Sequence, residues 1–148
     1  VLGGWVAGKI YAPAHHGEAH VLDWIEVDTG SDAPVEAGPS FAELFAVADP
    51  AKGERVFRNC SGCHPLEDGA NGAGPHLFGI VDRPVAGADD FTYSGSLVAV
   101  AETWTTENLN GFLEKPSAYA PGTAMSYNGL SKAEDRANLI AYLATIGG

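Results

Sequence analysis

The five residues from Cys60 to His64 constrain this chain more than any other stretch of its sequence. They read Cys-Ser-Gly-Cys-His and contain the only two cysteines among the 148 residues. The pattern Cys-x-x-Cys-His is typical of covalent haem attachment, in which two thiols bond the haem vinyl groups and the adjacent imidazole becomes an axial ligand of the iron. The motif therefore predicts a c-type haem held by Cys60 and Cys63, with His64 as a ligand.

Three other interpretations of this motif are open: a thioredoxin-like redox pair, half of a zinc site, and a chance match. A redox pair should lie within a strand–helix–strand pattern, and a structural zinc ion needs about four ligands, usually including a second Cys or His pair downstream. Neither pattern is visible in the sequence. Haem attachment is therefore the favoured interpretation.

The charge of the chain excludes one large class of partner. The chain has nineteen Asp and Glu residues but only eight Lys and Arg, so its formal net charge is −11 at pH 7. Binding to a phosphate backbone calls for clustered Lys and Arg, which are absent. We therefore expect no nucleic-acid partner. Separately, the length of the chain suits one globular domain.

An apolar run opens the chain. Val-Leu-Gly-Gly-Trp-Val-Ala-Gly is followed by Lys9 and Tyr11, residue types that are common at a membrane interface. Eight apolar residues cannot cross a bilayer, which takes about 20. We expect residues 1–11 to be the end of an N-terminal membrane anchor, with the tail of a signal peptide or a frayed terminus as the alternative.

Residues 12–46 are predicted to form an acidic flexible linker. They combine prolines, glycines and scattered acidic residues, and they lack sustained helix or strand periodicity. His15, His16 and His20 are candidate metal ligands there, but no carboxylate or thiol is fixed nearby. We interpret them as part of a solvated polar tract.

Local signals predict the first two helices of the remaining chain, residues 47–148. Asp49 followed by Pro50 is an N-cap with proline at the first helical position, and this helix is expected to carry Cys60 on the same face as Gly53, Val56 and Phe57. Thr105 caps a second helix, which must end just before Pro116. Both predictions rest on residues adjacent in sequence.

A third helix and an absence of strands complete an all-α prediction. Ser131 and Glu134 make a capping box for a helix that runs to the C-terminus with an apolar stripe. The long stretch 65–101 is rich in glycine and turn-forming proline, and the run 91–93 is the only hint of a strand. So long a loop suits a domain whose core is supplied partly by a buried macrocycle.

Met125 is the only methionine and stands in a turn-forming loop between the last two helices. A haem iron held by one His needs either a sixth ligand, for electron transfer, or an open site, for gas or peroxide chemistry. A lone methionine is usually core filler. Because this one lies in a loop about sixty residues after His64, we expect it to be the second iron ligand.

Residues 47–148 resemble a class I cytochrome c of the mitochondrial and alphaproteobacterial type. The matching pieces occur in order and include the haem-attachment motif, 74–79 (Gly-Pro-His-Leu-Phe-Gly), 91–94, Trp104, 121–125 and 136–143. The resemblance implies an all-α class I cytochrome c fold, with helices and long loops wrapped around one covalently bound haem c. With its acidic linker and apolar start, the whole chain is similar to membrane-anchored bacterial cytochromes c.

The resemblance implies roles for nine cofactor-binding residues. Cys60 and Cys63 would form thioethers, His64 and Met125 would ligate the iron, and the carbonyl of Pro75 would accept the ring proton of His64. The remaining four would surround a haem propionate or the Met ligand. Tyr93 and Trp104 would donate hydrogen bonds to the propionate, and Arg83 would offset its charge. Thr123 would be a polar group near Met125.

The resemblance also implies how the first and last helices meet. Gly53 and Phe57 would pack against Leu139 and Tyr142 where the two helices cross. A glycine at such a crossing lets two backbones approach closely.

One departure from the family bears on docking. Ala124 stands where the family often has Lys before the ligand Met, so one cation of the usual docking ring is missing. Arg58, Lys115 and Lys132 remain as cations expected near the exposed haem edge, where they would provide limited electrostatic steering.

The function that the resemblance implies is one-electron transport without substrate turnover, so no enzyme activity is expected. The cytochrome bc complex would be the donor and cytochrome c oxidase the acceptor, on the periplasmic side of the cytoplasmic membrane. Two alternatives remain. One is a haem enzyme or gas sensor in which Met125 dissociates, and the other is an interaction module that has lost its haem.

Overall fold

A computed structural model describes residues 38–147. Five helices make up the regular structure of this range, apart from one isolated β-bridge between Pro84 and Thr103. They are α1 (Phe41–Ala46), α2 (Pro50–Phe57), α3 (Thr106–Glu114), α4 (Pro116–Tyr119) and α5 (Ala133–Leu143). Residues 91–93 lie in a loop, so the strand hint there is wrong, and the all-α prediction is confirmed for the described range. The predicted anchor and the three N-terminal histidines lie outside it.

Helix α1 falls inside the range predicted to be linker. The hydroxyl of Ser40 accepts the backbone N–H of Glu43 at 3.3 Å, and the Glu43 carboxylate accepts the Ser40 backbone N–H at 2.7 Å. The Ser40 hydroxyl also donates to that carboxylate, at 2.8 Å. The two bonds that the carboxylate accepts from Ser40, the backbone one first, lower the pKa of Glu43. The rings of Phe41 and Phe45 stack at 5.8 Å and pack against the core, and α1 contacts α5.

The linker prediction is therefore wrong at its C-terminal end. The compact unit begins at Gly38, nine residues before the predicted boundary at residue 47. Its first helix gains stability from apolar side chains on the core and from a capping box, Ser40 to Glu43, that is legible in the sequence. A six-residue helix lacks the long periodic pattern by which helices are recognised.

Two of the three predicted helix starts are confirmed. The Asp49 carboxylate accepts the backbone N–H of Ala51 at 2.9 Å, and the Thr105 hydroxyl accepts that of Asn108 at 3.1 Å. Each satisfies one of the unpaired N–H groups of a first helical turn. Helix α2, which Asp49 caps, is shorter than predicted: it ends at Phe57, and Cys60 lies in the turns that follow.

The predicted capping box of the last helix is absent. Helix α5 begins at Ala133, and no side chain caps it. Tertiary contacts of the buried Arg136 hold this end of the helix instead: its Nε donates to the side-chain oxygen of Asn110 at 2.7 Å and its Nη1 to the carbonyl of Leu130 at 2.6 Å. These bonds tie α5 to α3 and to the preceding loop.

Helices α2 and α5 cross with their backbones in close contact. A Cβ atom on Gly53 would overlap the carbonyl oxygen of Asn138 and lie 2.7 Å from the Cβ of Tyr142. The rings of Phe57 and Tyr142 are 5.8 Å apart, and Leu139 is buried in the same core. The crossing implied by the resemblance is therefore present, with a glycine where only a glycine fits.

Candidate functional site

A cavity of about 470 Å³ opens within the core of the described range. This volume is typical of sites for cofactors and other small molecules. Its walls are largely apolar, formed by side chains of the long loop, α3 and α5, among them Leu77, Ile80, Leu97, Phe112, Leu139 and Leu143. The cavity is therefore suited to a flat, mostly apolar group with polar attachments.

The residues of the haem-attachment motif line one part of this cavity. After α2 ends, tight turns continue the chain, and the carbonyl of Cys60 accepts the backbone N–H groups of Cys63 at 3.1 Å and His64 at 2.9 Å. Both thiols are free, and both line the cavity with His64. Burial raises the pKa of the Cys60 thiol, and the neighbouring Cys63 adds to the shift. The turns thus present two thiols and an imidazole to a single cavity.

The ring of His64 is held in one tautomer. Its Nδ1 lies 2.8 Å from the carbonyl oxygen of Pro75, which can only accept, so Nδ1 carries the proton. The other nitrogen, Nε2, is left with a lone pair for a metal. A Cβ on Gly74 would lie 2.7 Å from Nδ1 and 2.9 Å from Nε2, so this ring position requires glycine. The sequence showed Gly74 as part of the family-like stretch 74–79, but only the structure shows that a larger residue there would collide with the His64 ring.

Met125 reaches the same cavity from a loop distant in sequence. Its backbone N–H donates to the hydroxyl of Thr123 at 3.4 Å, and the N–H of Thr123 donates to the carbonyl of Ala120 at 3.0 Å. The end of the loop is fixed where Leu130 donates to the carbonyl of Leu113 at 2.8 Å. The loop therefore has a defined course on both sides of the thioether.

Arg83 brings an unsatisfied donor to the site. Its Nη1 donates to the carbonyls of His76 at 2.9 Å and Phe78 at 3.1 Å, whereas its Nε is buried and has no hydrogen-bond partner among the described residues. Burial lowers the pKa of the guanidinium, and Tyr93 and Asp68 oppose that shift. Arginine nevertheless stays charged in proteins. A buried N–H without an acceptor is costly, so a bound carboxylate would complete this site.

Two aromatic side chains adjoin the same cavity. The Tyr93 hydroxyl accepts the backbone N–H of Ala88 at 3.1 Å and donates its own proton to no described residue. Trp104 is buried, with its ring 5.2 Å from that of Phe112. Both residues line the cavity, as expected of residues that would contact a ligand there.

Tyr127 is a site residue that the sequence analysis missed. It lies two positions after Met125, lines the cavity and is half-buried. Burial raises the pKa of its phenol. Its position in the ligand loop was the signal that could have identified it.

The residues present fit a covalently attached haem. The apolar walls suit the macrocycle, the thiols and the imidazole match its attachment, and the unpaired Nε of Arg83 suits a propionate. The structure brings all nine predicted cofactor-binding residues to this one cavity: Cys60, Cys63, His64, Pro75, Arg83, Tyr93, Trp104, Thr123 and Met125. Within residues 38–147 there is no cluster of three or more His, Cys, Asp or Glu suited to a metal, which leaves the zinc interpretation without ligands in that range.

None of the helices in the described part of the chain is long and apolar enough to cross a membrane.

Comparisons with known proteins agree with this site. The family model described as cytochrome c matches residues 50–147. A cytochrome c homolog of Rickettsia bellii is 38% identical over 147 residues, covering 96% of this chain and 84% of the relative. The cytochrome c-type cyt cy of Rhodobacter capsulatus is 41% identical over 112 residues, covering 73% of this chain and 56% of the relative.

A solved structure supports the fold. Cytochrome cH from Methylobacterium extorquens has a TM-score of 0.62 and 37% sequence identity, covering 66% of this chain and 99% of that one. The family match extends from the first residue of α2 through the attachment motif and the Met125 loop to α5. The chain therefore belongs to the cytochrome c family, as a class I cytochrome c that carries electrons on a covalently bound haem c.

Proposed function

We propose that His64 and Met125 are the two axial ligands of the haem iron in a periplasmic electron carrier. The cytochrome bc complex would reduce it, and a terminal cytochrome c oxidase would reoxidise it. The observation that carries this proposal is that the motif histidine and the only methionine of the chain line one apolar cavity. Two bacterial relatives named cytochrome c2 and cyt cy support an electron carrier of bacterial type.

The surrounding residues suit a carrier rather than a catalyst. The haem, when bound, supplies an iron that gains and loses one electron. The Pro75 carbonyl oxygen accepts a hydrogen bond from Nδ1 of His64, with 2.8 Å between the two atoms, which orients the ring and raises the basicity of Nε2. The Met125 thioether is a soft ligand that favours the reduced iron, and apolar walls that exclude water also tune the potential.

Absorption spectra of both redox states test the ligation. We expect the oxidised protein to have the weak long-wavelength sulfur-to-iron band of thioether ligation, and we expect the reduced protein to exclude carbon monoxide. Both follow from a sixth position that is already filled. Absence of the band together with fast binding of carbon monoxide would instead support the haem enzyme or gas sensor.

We further propose that residues 1–11 belong to a membrane anchor and that residues 12–37 form a flexible tether. A coil of 26 residues has a root-mean-square span of about 25–30 Å. Tethering holds the haem domain at an effective concentration on the order of millimolar near membrane partners, so weak docking suffices.

A dilution series tests this tether. The haem domain without residues 1–37, which keeps α1, should retain the spectrum and potential of the full chain. Its electron transfer to membrane partners should slow on dilution, whereas that of the full chain bound to membranes should not. Equal dependence on concentration in both forms would contradict the anchor.

A further inference from the structure

The mouth of the haem cavity carries no ionised side chain. Seven of the residues that line the cavity are also solvent-exposed, and we call them the rim: Asn59, Cys63, Ala73, Thr92, Ser94, Ala124 and Ser126. Six are never ionised at neutral pH, and the Cys63 thiol is consumed when it forms a thioether. The rim is therefore neutral in a protein whose formal net charge is −11.

With one exception, the charged residues of the described range do not line the cavity. Arg83 is the one charged residue that lines the cavity, and it is half-buried, with Nη1 bonded to two backbone carbonyls. Arg58, Lys115 and Lys132, the cations expected near the haem edge, are exposed but do not line the cavity. Ala124, where the family often has Lys, is therefore one of several uncharged residues that are exposed and line the cavity.

This neutrality selects among partners, because docking removes water from both surfaces. Carboxylates on an acidic partner would lose hydration and find no cation on the rim, and the cations of a basic partner would find no carboxylate. A neutral patch leaves no charge unpaired. The centres of protein interfaces are commonly depleted of charged residues for the same reason.

The sizes of the rim side chains point the same way. All seven are short, and Asn59, Thr92, Ser94 and Ser126 offer an amide or hydroxyl group. Short side chains let a partner surface approach the cavity mouth closely, and their polar groups allow hydrogen bonds without ion pairs. The rim can therefore form a close, uncharged contact.

We propose that the rim docks an uncharged patch on a redox protein, so that charge steering plays little part in electron transfer. This inference rests on the proposed carrier function. It specifies the chemistry of the partner surface, in place of the acidic patch that a lysine ring would require.

Small charged oxidants measure the charge near the rim in the full, haem-loaded protein. The reduced haem gives one electron to hexacyanoferrate(III), an anion, or to tris(phenanthroline)cobalt(III), a cation. Between about 0.1 and 0.5 M salt the Debye length falls from about 10 Å to about 4 Å, so charges more than about 10 Å from the rim have little effect on the rate constants. We expect both rate constants to change less than about twofold.

Opposite changes of about tenfold for the two oxidants would overturn the proposal, because they would place net charge at the rim. A protein that neither oxidant could reoxidise would overturn the carrier function itself. The two failures are therefore distinguishable.

A matched pair of lysine variants locates the contact. Ala124→Lys adds a cation to the rim, whereas Ala144→Lys adds the same charge at an exposed position beside the end of α5 that does not line the cavity. At about 0.1 M salt we expect Ala124→Lys to react about fivefold faster with the anionic oxidant and Ala144→Lys to change less than twofold. Equal rates in the two variants would show that oxidants do not approach through the rim.

The same pair tests docking on a protein partner. An oxidase whose docking patch carries carboxylates should oxidise the Ala124→Lys protein faster than the unmodified one, and only the variant should slow with salt. Fast, strongly salt-dependent oxidation of the unmodified protein would overturn the proposal. If Ala124→Lys disturbs the sulfur-to-iron band, Ser126→Lys, one residue beyond the proposed ligand, replaces it.

Discussion

Replacing Met125 with alanine is expected to open the sixth position of the haem iron. The chain has no second methionine, and the shortened side chain has no donor atom. The oxidised protein should lose its sulfur-to-iron band, and the reduced protein should bind carbon monoxide. The reduction potential should fall on the order of 0.1 V or more, since axial ligands tune haem potentials over about 0.8 V.

The matched control is Leu97→Ala, which shortens another apolar side chain lining the cavity without removing a ligand atom. This variant should keep the sulfur-to-iron band and continue to exclude carbon monoxide, even if it is less stable. Spectra and redox titrations of the two variants are compared directly. An unchanged spectrum in Met125→Ala would falsify the assignment of this residue as a ligand.

Replacing Gly53 with alanine is expected to destabilise the haem protein by about 3 kcal/mol, the upper part of the usual cost of overpacking. In an exposed helix the same change would stabilise by about 1 kcal/mol, because alanine is the better helix former. Here the added Cβ would overlap the backbone carbonyl of Asn138, which cannot move unless α5 moves. Since Leu139 and Leu143 of α5 line the cavity, separating the helices should also loosen the haem site.

Thermal and urea unfolding, followed by haem absorbance, measure this effect. The midpoint temperature should fall by about 10 °C or more. Gly38→Ala is the control, because a Cβ there would have no atom within 4 Å and the backbone φ is not positive. It should change the free energy of unfolding by less than about 0.5 kcal/mol. Equal stability of the two variants would contradict the close crossing of α2 and α5.

The sequence itself determined the features that depend on neighbouring residues. The Cys60–His64 motif carries its chemistry within five residues, and the caps at Asp49 and Thr105 are hydrogen bonds to N–H groups two or three residues away. Met125 was identifiable because it is the only methionine and lies in a turn-forming loop. Such signals are legible because their physical cause is local.

The resemblance to a family extended this further. It named nine residues for one cofactor site, and the structure brings all nine to one cavity. The order of motifs along the chain carried that information, whereas spacing alone could not show that residues as far apart as Cys60 and Met125 line the same cavity.

Only the tertiary structure decided features that depend on residues distant in sequence. Helix α1 joins the compact unit because its aromatic side chains reach the core. Helix α5 starts at Ala133 without the predicted cap, and Arg136 in its first turn binds Asn110 and Leu130. The neutral rim likewise needed the fold, since its members come from four separate segments of the chain. Local hydrogen bonds and residue types determine which elements can form, but the close packing of distant side chains determines where they end and which residues meet.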